Sequence, residues 1–267
     1  MPAAPAQPRT RRHFRDMTKP IALATIGALL IGSTAPAAQA PTVRVLMSNG
    51  FKAVFDELAP SCERSIGRSI DVQTGTSASI VARVNAGERF DAVIATTDAL
   101  DTLGKAGKVA APTSLGRSGI GLGVRAGAKK PAIATAEALK QTFLAASSIT
   151  YASGGASRPH IERMMTTLGI ADAVSRKTVF EPDSVRAAAR VAGGGAELLL
   201  TLISEILPAP GVDLVGPLPM QFQSYISFAG APSASSANAA AGRSLISCLS
   251  GPGLEKALEA RGMERGS

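Results

Sequence analysis

The order of strand-like and helix-like segments is the feature that most constrains how this chain can fold. Residues 42–48 alternate apolar and polar side chains, as a half-buried strand does. Two further strand patterns, at residues 69–74 and 90–96, are separated by a helical spacing at residues 77–86. A repeated strand–helix order predicts an α/β protein whose parallel sheet carries helices on both faces.

The same alternation continues to the end of the chain. A helix is predicted around Phe51, Phe55 and Leu58, and Pro60 is expected to kink or restart it. Further strands are predicted at residues 119–124, 148–152, 177–180, 198–203, 212–215 and 223–228, and further helices at 97–104, 135–146, 159–168, 183–192, 236–249 and 252–261. We interpret this as two α/β lobes, with the final helices returning to the first. The predicted division is residues 41–118 with 221–267 for lobe I, and residues 119–220 for lobe II.

Residues 1–40 have the composition of a secretory signal peptide. Basic residues 9–19 precede an apolar run at 21–33 and a small-residue stretch at 34–40, and the run is too short for an ordinary transmembrane helix. An uncleaved anchor is the alternative. Cleavage after Ala37 or Ala40, a start at Met1 or Met17, and export by a twin-arginine route all stay open. Each alternative predicts a location outside the cytoplasm, in the periplasm.

Charge and composition exclude several functions. The net charge is +8, and residues 1–40 hold five basic side chains and one acid of this total. The basic side chains after residue 40 are scattered and do not alternate with aromatic residues. Nucleic-acid binding is therefore not expected. Two His, two Cys and the lack of a carboxylate cluster predict neither a metal site nor a cofactor.

Cys62 and Cys248 leave two alternatives. In an oxidising compartment they could form a disulfide, and closing so long a loop would stabilise the fold by about 4 kcal/mol. Otherwise they are two buried, inert thiols.

Hydroxyl and glycine residues follow the predicted strands, where ligands bind in an open α/β sheet. The segments are Ser48-Asn49-Gly50, Gly75-Thr76-Ser77, Thr96-Thr97, Ser153-Gly154-Gly155-Ala156-Ser157 and Ser204-Glu205. Several open helices, whose free N–H groups and positive dipole suit a small anion. The alternative is that these residues are ordinary helix caps and turns.

Three charged or titratable residues are weaker candidates. His160 is the only histidine after residue 40, so a catalytic triad could form only around it. Arg158 could hold a carboxylate in a bidentate pair, or be a solvated surface charge. Glu205 could act as an acid or base, although an ion pair or a helix cap is the simpler interpretation.

Several stretches resemble the periplasmic molybdate-binding protein family, the substrate-binding components of ATP-driven importers. They are Val45-Leu46-Met47-Ser48, Gly75-Thr76-Ser77-Ala78-Ser79-Ile80, residues 87–95, 153–157, 203–207 and 215–219, and the closing Gly262-Met263. The resemblance implies the type II periplasmic-binding-protein fold, with two α/β lobes and an interlobe cleft. It also implies that the hydroxyls of Ser48 and Ser77 bind an oxyanion, helped by backbone N–H groups near residues 156–157 and 203–204.

The chain departs from molybdate binders in the segment before the acid and at Arg158-Pro159-His160, which adds charge where they have a neutral pocket. Thr201-Leu202-Ile203 stands where they carry a tyrosine before the acid that corresponds to Glu205. A larger organic anion is therefore the alternative ligand. The same family includes periplasmic aconitate isomerases, which move a proton on a tricarboxylate.

Together these observations predict a monomeric, periplasmic substrate-binding protein of an ABC importer. It would capture a molybdate-like oxyanion or an organic anion and dock on a membrane permease, without a cofactor, a metal or catalytic residues. The expected ligand-binding residues are Ser48, Asn49, Ser77, Ser153, Ser157, Arg158 and Ser204. The alternative function is an aconitate isomerase-like enzyme acting on a polycarboxylate.

Overall fold

A computed structural model describes residues 42–266, so the predicted signal peptide and the alternative start and cleavage sites lie outside the described residues. The strands are β1 (Val43–Ser48), β2 (Ile70–Gly75), β3 (Ala92–Thr96), β4 (Thr113–Arg125), β5 (Ile149–Ala152), β6 (Thr178–Glu181), β7 (Leu198–Leu202), β8 (Val212–Pro217), β9 (Tyr225–Pro232) and β10 (Met263–Glu264). The helices are α1 (Lys52–Ile66), α2 (Ser77–Asn85), α3 (Thr97–Lys105), α4 (Ala136–Ala145), α5 (Arg158–Thr167), α6 (Ala171–Ser175), α7 (Ser184–Ala192), α8 (Ile203–Ile206), α9 (Ala239–Leu249) and α10 (Leu254–Ala260). Short 3₁₀ turns occupy Asn49–Phe51 and Met220–Phe222.

The strands form one sheet in the order β2-β1-β3-β9-β4-β7-β5-β6, with β8 and β10 also paired to β4. In what we call the first half, β1 pairs in parallel with β2 and β3, as the strand–helix order predicts. In the second half, β5 pairs in parallel with β6 and β7.

The expectation of a parallel sheet is wrong at the centre, where β9 runs antiparallel to both β3 and β4. β4 also pairs antiparallel with β7 and β8. β8 and β9 both pair antiparallel with β4, β8 at residues 121–125 and β9 at residues 113–119, so β9 continues in the direction of β8 after the 3₁₀ turn Met220–Phe222. The chain therefore inserts β9 between two existing strands in the reverse direction.

β4 belongs to both halves of the sheet. It pairs with β9 up to Gly119 and with β7 from Ile120 onward. The predicted strand at residues 119–124 covers only the second part, because residues 113–118 (TSLGRS) are mostly polar or small and do not alternate. The change of partners at Gly119 makes this strand the structural bridge between the halves.

Apolar side chains fill the space between the sheet and its helices. The fully buried large side chains include Phe51, Phe143 and Phe228, and all five residues of β7 are buried. α1 runs without a break through Pro60 and packs on α9. Cys62 of α1 and Cys248 of α9 form a disulfide with a Cα–Cα distance of 5.7 Å, which decides between the two alternatives for these cysteines.

The predicted helices agree with the structure to within a few residues, but the short helices α6 and α8 were not predicted. α8 has only four residues and begins at Ile203, which the sequence pattern placed at the end of a strand. Over residues 42–266, no helix combines the length and the apolar character needed to cross a bilayer.

Candidate functional site

A small cavity lies between the two halves of the sheet, where β1, β2, β5 and β7 end. Its volume is about 20 Å³, enough for one group the size of a water molecule. The polar side chains around it are Ser48, Asn49, Thr76, Ser77, Ser157, Ser184, Thr201 and Glu205. We call this space the inner cavity.

The first half contributes residues that follow two neighbouring strands. β1 and β2 are in parallel register with Ser48 opposite Gly75, so the segments after both strands meet at one edge. Thr76 caps α2 by accepting the N–H of Ser79 at 3.1 Å. A Cβ atom on Gly75 would lie 2.5 Å from the Oγ of Ser79, so glycine lets the chain turn tightly into the helix.

Ser77 is held with its hydroxyl proton available. Its Oγ accepts the backbone N–H of Thr96 at 3.1 Å, and the residue is 7% exposed. A hydroxyl that accepts one hydrogen bond can still donate its own O–H. Because Ser77 lines the inner cavity and begins a nine-residue helix, it can donate to an anion at the positive end of α2.

The second half places the start of another helix on the opposite side. After β5, Gly155, Ala156 and Ser157 line the inner cavity, and the ten-residue α5 begins at Arg158. Among the described residues, the hydroxyls of Ser48 and Ser157 make no hydrogen bond to the protein, although both residues are buried. Both can therefore donate to a bound group.

A carboxyl group completes this side of the cavity. Glu205 Oε1 accepts the hydroxyl of Ser184 at 2.7 Å, and Oε2 accepts the hydroxyl of Thr201 and the N–H of Leu202 at 3.4 Å. Burial raises the pKa of Glu205 above its ordinary value, and the nearby Asp183 acts in the same direction. The three hydrogen bonds lower the pKa but do not cancel the effect of burial.

A wider groove adjoins the inner cavity and shares Asn49, Ser184 and Glu205 with it. This outer groove has a volume of about 710 Å³ and lies between α1 and the helices α7 and α8. Its charged side chains are Lys52, Asp56, Arg261 and Glu205. Lys52 pairs with Asp56, and Arg261 pairs with Glu57 at 3.3 Å.

The structure brings four of the seven expected ligand residues together. Ser48, Asn49, Ser77 and Ser157 all line the inner cavity. The other three, Ser153, Arg158 and Ser204, do not line it.

Those three residues make other contacts. Arg158 pairs with Glu162 at 2.7 Å, donates to the carbonyl of Ser153 at 3.0 Å and lies over the ring of Phe180. Ser204 instead links the two halves, since its hydroxyl donates to the carbonyl of Gly50 at 2.8 Å.

Sequence reasoning missed Ser184 and Thr201 as residues of the site and treated Glu205 only as a weak acid–base candidate. Thr201 carried a usable signal, because it is the only polar residue in the otherwise apolar strand β7 (LLLTL). Ser184 carried none, since a serine that begins a helix is common.

His160 of α5 lies outside the inner cavity. Burial lowers the pKa of His160, and Arg163 acts in the same direction while Asp98 opposes both. Its Nδ1 is buried without a hydrogen-bond partner among the described residues.

A family profile and a related protein each match most of this chain. A sequence profile of bacterial extracellular solute-binding proteins matches residues 43–264. An aconitate isomerase from a Pseudomonas species is 34% identical over 252 residues, which cover 90% of this chain and 94% of that protein.

Two solved structures have the same fold at low identity. The periplasmic molybdate-binding protein of Azotobacter vinelandii matches with a TM-score of 0.71 and 16% identity, covering 84% of this chain and 100% of that one. The sulfate-binding protein SubI of Mycobacterium tuberculosis matches with a TM-score of 0.65 and 17% identity, covering 83% and 86%.

These matches confirm two expectations from the sequence. The fold is the type II periplasmic-binding-protein fold, in which two α/β lobes enclose a cleft. The resemblance to molybdate-binding proteins, in a branch that includes aconitate isomerases, is confirmed as well. The chain belongs to the family of bacterial extracellular solute-binding proteins.

Proposed function

We propose that this protein captures a small anion in the inner cavity and delivers it to a membrane permease of an ABC importer. The observation that carries the proposal is the convergence of the Ser48, Ser77 and Ser157 side chains with the first turns of α2 and α5. The N-terminus of a helix offers unpaired N–H groups and a partial positive charge, and neutral hydroxyls add donors. This combination binds a negative charge without a cationic side chain.

The charge of the cavity wall supports neutral-donor recognition. Of the described residues that line the inner cavity, none is a lysine or an arginine. Dipoles and hydroxyl groups therefore supply the attraction, and their fixed positions select the size and shape of the anion.

Capture requires the two lobes to move, because the inner cavity is smaller than any of the anions considered. In our proposal lobe I (residues 41–118 with 221–267) and lobe II (residues 119–220) separate to admit the ligand and close over it. At Gly119, where β4 changes its pairing partner, the chain crosses from lobe I to lobe II. A ligand held by Ser48 and Ser77 of lobe I and by Ser157 of lobe II at the same time would make these contacts only in the closed form and would so favour closure.

The family relationship supports a location outside the cytoplasm, and we place the mature protein in the periplasm as a single chain. There it would meet the ligand in solution and dock on the permease in the closed form.

Thermal unfolding with a panel of anions tests the proposal. Molybdate, tungstate, sulfate, cis-aconitate and trans-aconitate are each added to the mature protein. An anion at 100 times its Kd adds about 2.7 kcal/mol, which raises the Tm by about 5–10 °C. The Ser77→Ala variant should show a smaller rise at the same anion concentration, because its affinity is weaker. An unchanged Tm with every anion would contradict the proposal.

A second candidate function is the isomerisation of a polycarboxylate. Two observations favour it: the 34% identical aconitate isomerase and the Glu205 carboxyl group on the cavity wall. An isomerase of this kind removes a proton from the CH2 carbon beside a double bond, the double bond moves to that carbon, and a proton binds the carbon at the far end of the original double bond, so no atoms are gained or lost. A carboxylate with a raised pKa suits such a transfer.

Turnover separates the two candidates. The protein is incubated with trans-aconitate, and cis-aconitate is measured by chromatography. Isomerisation that is lost in Glu205→Gln, while trans-aconitate still raises the Tm, would establish the enzyme. Binding without turnover would leave transport as the function.

A further inference from the structure

Glu205 is the unexpected component of a site built to hold an anion. Its carboxyl group lies on the wall of the inner cavity, which is also lined by the neutral hydroxyls of Ser48, Ser77 and Ser157. It also lines the outer groove, so it stands where the two spaces meet. An anion bound by the hydroxyls would therefore lie beside a second negative charge if Glu205 stayed ionised.

The charged groups around Glu205 do not neutralise it. Asp183, which precedes α7, adds a further negative charge nearby. On the other side of the outer groove, Lys52 is paired with Asp56. Arg261 likewise has an acidic partner, Glu57 of α1.

The other elements packed against α8 add no charge. They are β4, β7, β8 and the 3₁₀ turn Asn49–Phe51. Among the described residues, none of these elements brings a charged side chain to either space. Two negative charges held side by side, with no cationic side chain between them, repel each other and favour the binding of a proton to one of them.

We propose that Glu205 holds a proton when the site is occupied and donates an O–H hydrogen bond to the anion, so that capture is coupled to one proton. The inference rests on the proposed function, since it requires this cavity to take an anion. The proton comes from solvent or from the ligand and binds one carboxyl oxygen, and no other bond forms or breaks.

The hydrogen bonds identify which oxygen accepts the proton. Oε2 already accepts two donors, the Thr201 hydroxyl and the Leu202 N–H, whereas Oε1 accepts only the Ser184 hydroxyl. A serine hydroxyl can rotate and become an acceptor, but a backbone N–H cannot. Oε1 is therefore the site of protonation.

This arrangement makes Glu205 a specificity-determining residue. An anion that carries its own acidic proton, such as a partly protonated polycarboxylate, can supply the hydrogen bond directly. A fully deprotonated oxyanion, such as sulfate, needs a proton from solvent, and its affinity should fall as the pH rises. The bound anion raises the pKa of Glu205 further, so the affinity changes by up to about tenfold per pH unit between the two pKa values.

The experiment is a titration of sulfate, molybdate and trans-aconitate by isothermal calorimetry at about pH 6 and about pH 8.5. Wild type should lose at least about tenfold in affinity for sulfate or molybdate over this range. Glu205→Gln keeps the shape of the protonated acid and offers N–H donors in place of its O–H. Its affinity should not change with pH and should exceed that of wild type at the higher pH.

Two controls make the result decisive. Glu162→Gln removes an acid of the same lobe that lies outside both spaces and should keep the wild-type pH profile. Wild type in buffers of different ionisation enthalpy should take up about one proton per sulfate, a measurement that needs no variant to fold.

The possible failures are distinct. If neither wild type nor Glu205→Gln binds any of the three anions, the proposed function fails and the proton coupling with it. If wild type binds an oxyanion with no proton uptake and with the same pH profile as Glu205→Gln, the coupling is overturned and anion capture stands.

Discussion

The two walls of the inner cavity are built in different ways. The wall from the first half consists of Ser48, Asn49, Thr76 and Ser77, which lie at or directly after the ends of two neighbouring parallel strands. The wall from the second half comes from three separate places along the chain, which hold Ser157, Ser184, and Thr201 with Glu205. The first wall offers only neutral groups set by the backbone, whereas the second contains a side-chain network around a group that titrates. In our proposal both walls bind the anion, and only the second contains a group whose protonation could regulate binding.

Covalent support differs in the same way. The Cys62–Cys248 disulfide joins two helices of the first half, and the described residues contain no other cysteine. The Cys62→Ser, Cys248→Ser double variant should lose about 2–5 kcal/mol of unfolding free energy, because its unfolded chain is no longer restrained by a long closed loop. Urea denaturation of the variant and of oxidised wild type measures the loss.

Hydrogen exchange then locates the effect of the disulfide. Protection should fall in α1 and α9 more than in α5 and α7, because the bridge lies in the first half. Equal loss of protection in both halves would show that they unfold as a single unit.

A hydroxyl of the first wall should affect affinity at every pH. Ser77→Ala removes one hydrogen bond to a charged ligand and should weaken anion binding by about 1–3 kcal/mol. Calorimetry with the anion that raises the Tm most gives the value. Ser65→Ala, on the exposed end of α1, is the matched control. A loss of affinity that appears only at one end of the pH range would mean that Ser77 acts through the protonation of Glu205.

A hydroxyl of the second wall should instead move the pH profile. Ser184→Ala removes a donor to the charged form of Glu205, so the pKa of this carboxyl should rise. The proton is then held to higher pH, and the fall in sulfate affinity should begin at a correspondingly higher pH. A shift to lower pH would mean that the hydroxyl stabilises the protonated acid.

Arg158 should have the smallest effect. It is about one third exposed, and an exposed pair such as Arg158–Glu162 contributes about 0–1 kcal/mol to stability. Arg158→Ala should change the urea midpoint slightly and leave anion affinity unaltered, because the side chain does not line the inner cavity. A loss of affinity of about tenfold or more would instead make Arg158 a ligand contact of the open or liganded form.

The first wall could be predicted from the sequence because a simple rule connects its residues. The carboxyl ends of parallel strands meet at one edge, so the residues after β1 and β2 had to converge. The second wall obeys no such rule, since Ser184 begins a helix after β6 and Thr201 lies inside β7. Thr201 approaches Glu205 only because β7 ends and α8 begins between them, a boundary that the sequence pattern placed elsewhere. The proximity of Ser184 to Glu205 depends on how α7 and α8 pack, which local patterns do not encode.

The strand pairing at the centre of the sheet could not be predicted from the sequence for a related reason. The strand pattern at residues 223–228 predicted that β9 exists. Its position between β3 and β4 depends on contacts between residues far apart in the sequence. The glycine-containing first part of β4 also gave no alternating signal, although Gly116 permits the close approach of Leu258. Both features depend on contacts with the last 50 residues of the chain.

The position of β9 has a consequence for the order in which this chain can fold. β9 fills the gap between β3 and β4, and α9 covers α1, so the first half of the sheet is finished by segments synthesised near the end. During synthesis from the N-terminus, β1, β2 and β3 are made early, and the edge of β3 has no partner until β9 is made. The second half, whose strands β5 to β8 are contiguous, can pair sooner. The part of the protein that is made first is therefore the part that is completed last.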